Sequence, residues 1–162
     1  MKQYYKMKVA GCDRELPLCP VNEHLDIAAF IRANGANPEK DLIELWKRIV
    51  FNIAVSNTDD HLRNHGFILT ENGWRLSPVY DVNPNLDKDA LSLNVTEEDN
   101  ALSVDLAIEV CEKFGIDKKD AVELAKGVLV TVCDNWRIIA EKNGLSKSSI
   151  EYMKPAFGAT QI

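Results

Sequence analysis

Apolar positions recur with a helical period along most of this 162-residue chain, and only one region breaks into short alternating runs. Leu25, Ala28, Ala29, Phe30 and Ile31 predict a short helix that stops at Asn34 and Gly35. The clearest helix start follows. Asn37 suits a cap, Pro38 suits the first helical position, and Glu39 and Asp41 suit the positive end of the helix dipole. Leu42, Leu45, Trp46, Ile49 and Ile53 then carry the period to about Val55. Residues 49–55 are apolar on nearly every side, so this helix is expected to run through the middle of the domain.

Residues 66–70 and 74–77 read as strands joined by Asn72-Gly73, a strong two-residue hairpin signal, and residues 91–95 read as a third strand. The helical pattern returns over 103–114, closed by Gly115, and over 117–143, closed by Gly144. A Ser148/Glu151 capping box predicts a last helix over 148–155. Residues 1–24 mix charges with two prolines and predict an irregular arm holding one short strand over 4–9. The expectation is a mainly α (α+β) fold: an arm over 1–24 and one domain over 25–162.

Composition narrows the function classes. Hydrophobic residues at 46% and charged residues at 27% are those of a folding, soluble chain. A net charge of -6, with no more than two adjacent Lys/Arg, argues against direct nucleic-acid binding. No apolar run reaches the roughly 18 residues of a membrane span, and the start has no signal-peptide core, so a cytoplasmic location without membrane contact is expected. Cys12, Cys19, Cys111 and Cys133 are scattered and are expected to be reduced thiols without chemistry.

The chemistry concentrates in residues 57–65, NTDDHLRNH, directly after the apolar helix. With Asn72 and Gly73 as the turn, Glu71 faces Trp74, and the extended register sets Asn64 opposite Asp81. An amide oxygen and a carboxylate at cross-strand distance make a hard-cation site suited to Mg²⁺ or Mn²⁺ on phosphate oxygens. Asp59 lies five residues before Asn64, the interval between the base and the metal-binding Asn of a kinase catalytic loop, and Asp81 follows the hairpin as the second metal-binding Asp.

On NTDDHLRNHGF, on GWRLSPVYDVNP and more loosely on LDIAAFIRANGANPEKDLIELWKRIVFN, the chain resembles the HipA-like serine/threonine kinases from about Leu25 onward. The resemblance implies a protein-kinase-like large C-terminal lobe with a small β-hairpin at the active site. It implies Asp59 as catalytic base, Asn64 and Asp81 as metal ligands, and His61, Arg63 and Tyr80 as contacts to the nucleotide or its phosphates. ATP and Mg²⁺ are the implied cofactors. Members of that family are toxin halves of bacterial toxin-antitoxin pairs, and some phosphorylate aminoacyl-tRNA synthetases, so an antitoxin partner and a protein substrate are expected. The aromatic-Asp-Gly step of kinases is here Tyr80-Asp81-Val82. The string DDHLRN also looks like the D-R-H-x-x-N loop of phosphoinositide kinases.

The eight glycines, at 11, 35, 66, 73, 115, 127, 144 and 158, form no G-x-G-x-x-G, and Lys6 and Lys8 do not amount to a nucleotide clamp. The chain is therefore expected to be either a truncated product or one half of a split protein whose small-lobe partner supplies the clamp. Two alternatives stand beside this reading: a non-catalytic interaction module or pseudokinase fragment, and a metal-dependent nuclease using Asp59, Asp60, His61 and His65. The acidity of the chain speaks against the nuclease.

Overall fold

Helix α2 (Pro38–Ala54) is the axis of the fold in a computed structural model that describes residues 24–160 and the backbone of residues 9–10. Its N-terminus forms where the sequence places it, with the Asn37 side chain accepting from the Lys40 amide at 3.3 Å and Pro38 in the first turn. Leu45, Trp46, Ile49, Val50, Ile53 and Ala54 are fully buried. The indole of Trp46 donates to the Ala107 carbonyl at 2.7 Å, which satisfies its one polar atom inside the core.

Around α2 pack α1 (His24–Asn34), α3 (Val104–Glu109) and α4 (Lys118–Lys142). Helix α4 is capped by Asp117, whose carboxylate accepts from the Asp120 amide at 3.0 Å, and is followed by Gly144 in the left-handed region at φ +79°. The helix expected over 103–114 is shorter: α3 gives way to a 3-10 turn over Cys111–Phe114 that closes at left-handed Gly115. The last helix, α5 (Lys147–Met153), is capped by Ser146 and not by Ser148. Glu151 does not complete a capping box, because its carboxylate takes the Arg137 guanidinium of α4 at 2.9 Å.

A three-stranded sheet flanks the helices, β1 (Val9–Ala10) parallel to β2 (Phe67–Thr70), and β2 antiparallel to β3 (Gly73–Leu76). The strand expected over residues 4–9 lies outside the described residues except for Val9. Thr70 pairs with Gly73, so Glu71 and Asn72 make the turn and the register moves two positions from the one expected. Gly73 serves close approach instead: at φ +121°, a Cβ there would meet the Asn34 carbonyl at 2.8 Å. The end of α1 lies against it, with the Ala36 amide donating to the Trp74 carbonyl at 2.7 Å. Buried Asp41 of α2 fixes β3 from the other side, accepting from Arg75 Nε at 2.8 Å, Arg75 Nη2 at 2.9 Å and the Leu76 amide at 3.1 Å.

Residues 91–95 do not form a strand. Leu91, Leu93 and Val95 do alternate into the core, which is the period the sequence carries. Their backbone bonds go to the chain that doubles straight back, Leu91 to Asn100 and Val95 to Asp99, both at 2.8 Å. No helix among the described residues is long and apolar enough to cross a membrane.

Candidate active site

The chain leaves α2 through a tight reversal. Ser56 takes a left-handed backbone at φ +49°, and the Asn57 amide and side chain both bond back to Asn52, at 2.8 Å and 3.1 Å. From here inward and outward residues interleave. Thr58, Asp60, Leu62, Asn64 and His65 are buried, whereas Asp59, with a side chain 61% exposed, and Arg63 face out.

Asp60 is the centre of the inward set. Its Oδ2 lies 2.9 Å from Nε2 of His24 and accepts from the Asn52 amide group at 2.7 Å, and its Oδ1 lies 2.9 Å from Nε2 of His65. Burial alone pushes this carboxyl up, but the hydrogen bonds and charge of His24 and His65 outweigh it and hold Asp60 well below the usual carboxylate range. His24 is oriented in turn by the Asn94 carbonyl, 2.9 Å from its Nδ1. These three side chains are near enough to hold a metal ion. All the contacts of Asp60 nevertheless have hydrogen-bond lengths, and Oδ2 already takes an amide proton, so a proton network accounts for the cluster. The expected nuclease quartet does not form one surface, because Asp60 and His65 face the interior.

The outward set forms the rim. Asp59 is approached by Lys88 Nζ at 3.7 Å and by His61 Nε2 at 3.9 Å, and Arg63 Nη2 donates to His61 Nε2 at 3.1 Å. The Asn64 amide group donates to the Asp59 carbonyl at 3.1 Å, which leaves its oxygen as the atom to offer a cation. Asn64 and Asp81 are not a cross-strand pair, since the ladder ends where the Ser77 amide donates to the Gly66 carbonyl at 2.9 Å. Separate ties lay the segment beyond β3 on the loop: the Tyr80 hydroxyl donates to the Arg63 carbonyl at 2.6 Å, and the Asn83 and Asn85 amides donate to the Asn57 side chain and the Ser56 carbonyl at 3.3 Å and 3.0 Å. A Cβ at Gly66 would lie 2.9 Å from Ser77 Oγ, so glycine permits this approach.

Asp81 therefore sits between two anchor points, exposed, with a left-handed backbone at φ +57°. The Asn83 amide group donates to its Oδ1 at 3.0 Å. The hydroxyl of Tyr80 is committed to the Arg63 backbone, and partial burial first and the Asp81 charge second push its pKa up. Sequence reasoning missed His24, Asn52, Asn57, Asn83 and Lys88. Asn52 had a signal, a lone amide in the apolar run 49–55. His24 and Lys88 had none, since only folding brings them to the loop.

With this arrangement in place, the comparisons give it a lineage. The sequence profile of the HipA-like C-terminal domain matches residues 7–136, and the chain belongs to that family. It is also similar to a protein of Sinorhizobium fredii (strain NBRC 101917 / NGR234) named "Putative kinase Y4mE", 30% identical over 57 residues. That stretch is 35% of this chain and 14% of the relative, so the chain spans a small part of the relative's length.

Proposed function

We propose that this chain is the catalytic lobe of a HipA-like serine/threonine protein kinase that transfers the ATP γ-phosphate to a protein hydroxyl. The observation that carries the reading is the packing of the segment around Asp81 onto the loop that bears Asp59 and Asn64. Asp59, Asn64 and Asp81, three oxygen donors of kinase type, then lie on segments tied to one another over a buried frame. The donor set fits Mg²⁺, a hard cation that takes carboxylate and amide oxygens and keeps sites for phosphate.

Asn64 and Asp81 would hold the metal, which when bound neutralises charge on the phosphates. Asp59 is exposed and reaches a substrate hydroxyl, whose proton it accepts or orients. The Lys88 ammonium beside it, two exposed groups apart, adds little to stability but keeps a cation near the transferred charge. His61 and Arg63 are bonded to each other at the same rim, and the guanidinium offers remaining donors to a phosphate. A small lobe from outside residues 1–162 supplies the glycine-rich loop and strand lysine, and an antitoxin partner and a cytoplasmic protein substrate complete the system.

Calorimetric titration of ATP with Mg²⁺ into the chain tests the site. The expected outcome is binding that Asp81→Ala removes. Binding unchanged in the variant overturns the ligand assignment, and no binding at millimolar ATP favours an interaction module.

A further inference from the structure

Polar residues running inward from exposed Asn83 to buried Asn57, Asn52 and Asp60 form a continuous relay that the phosphoryl-transfer reading does not use. Asn83 Nδ2 donates to Asp81 Oδ1 at 3.0 Å, and the Asn83 backbone amide donates to Asn57 Oδ1 at 3.3 Å. Asn57 Nδ2 donates to Asn52 Oδ1 at 3.1 Å, and Asn52 Nδ2 donates to Asp60 Oδ2 at 2.7 Å. Asn52 and Asn57 each accept on one side and donate on the other, so from Asn83 inward the bonds point one way and end on a carboxylate. Such a chain polarises itself, and its direction requires an acceptor without protons at the end.

The same carboxylate takes His65 through its other oxygen. Each of the two loop residues read as ligand or base precedes a member of the Asp60 cluster: exposed Asp59 precedes Asp60, and Asn64, itself buried, precedes His65. The bond between Asp60 and His65 therefore sets the spacing of Asp59 and Asn64. His24 closes the frame onto α1.

We propose that Asp60 and the amides of Asn52, Asn57 and Asn83 form a positioning device that holds Asp59, Asn64 and Asp81 in one arrangement, with Asp60 as its shared anchor. The inference rests on the kinase reading for the role of the rim residues, whereas the relay itself is independent of it. None of Asp60, Asn52 or Asn57 touches substrate or metal in this scheme. Their effect passes through the residues they orient.

The test pairs Mn²⁺ binding in the presence of ATP, followed by electron paramagnetic resonance, with amide hydrogen exchange at Asn64, His65 and Asn85. Asn57→Asp keeps the volume but sets two acceptors face to face at Asn52, cutting the relay. Asn83→Ala, at an exposed position, removes only the last link and keeps the protein folded should Asn57→Asp fail. Phe114→Leu thins the core elsewhere and controls for general loss of stability. Each relay variant is expected to weaken Mn²⁺ about 10- to 100-fold, as loss of groups that orient metal ligands does, while Phe114→Leu stays within about twofold. Asn57→Asp is also expected to speed exchange at the three amides selectively.

Relay variants that bind Mn²⁺ like the wild type, or that lose it in step with the control, overturn the proposal. If the wild type itself binds no Mn²⁺, the metal reading of Asn64 and Asp81 falls. The exchange data still decide the relay in that case: selective opening in Asn57→Asp supports it, and uniform opening across the chain overturns it.

Discussion

Asp60 carries the largest electrostatic imbalance among the described residues, an ionised carboxylate in the core facing two histidines and an amide. Its folded value lies below the unfolded value of about 3.9, so its contribution to stability is present in full above that value and is lost as pH falls below it. Urea melts of the wild type and Asp60→Asn between pH 5 and pH 2.5 are expected to show a stability gap that narrows from about pH 4 downward. A gap that does not change over that range would mean that the carboxylate's charge contributes nothing. Asp60→Ala at pH 7 is expected to cost about 3 to 5 kcal/mol, because it strands buried partners. The spacing to Asn64 singles out Asp59 in the sequence but says nothing of its surroundings; burial separates the two neighbours into an enclosed hydrogen-bonded carboxylate and an exposed one.

At the scale of elements, α2 is both core and platform. Ile53 is fully buried on the turn that precedes the loop bearing Asp59 and Asn64. Ile53→Ala is expected to cost about 2 to 5 kcal/mol in a urea melt, and a loss below about 1 kcal/mol would show that the neighbouring helices close the cavity. This helix was legible because cap, proline, dipole and period agree at every position. The hairpin was legible as an element but not in register. Asn72-Gly73 has the chemistry of a turn, yet the end of α1 lies so close that glycine is required one step later, in the strand. Gly73→Ala is expected to destabilise the protein by about 1 to 3 kcal/mol through that clash and the positive φ, read as a lowered melting temperature. A neutral substitution would show that α1 moves freely from the sheet.

At the scale of the molecule, four chain segments far apart in sequence meet at one site: the start of α1, the end of α2 with its loop, the exit from β3, and the region around Asn94. The family relation fits this division of labour, since the matched region runs from residue 7 to 136 and takes in all four. Long α4 lies against α2, and the stacked rings of Trp136 and Phe157, 4.3 Å apart, hold the last turn to it. The scaffold is thus helical, and Asp59, Asn64 and Asp81 lie on connecting segments that two helices and a sheet hold in place.

The sequence by itself determined the helices, the identity of the loop residues and the family, because period, capping and a contiguous motif are local and survive without neighbours. Only the tertiary structure decided which of two adjacent aspartates faces water, how the hairpin is registered, and that three asparagines line up behind the rim. Each of these depends on what lies across space: a desolvated pocket for Asp60, the end of α1 at Gly73, and amide dipoles brought into line by segments that share no local signal.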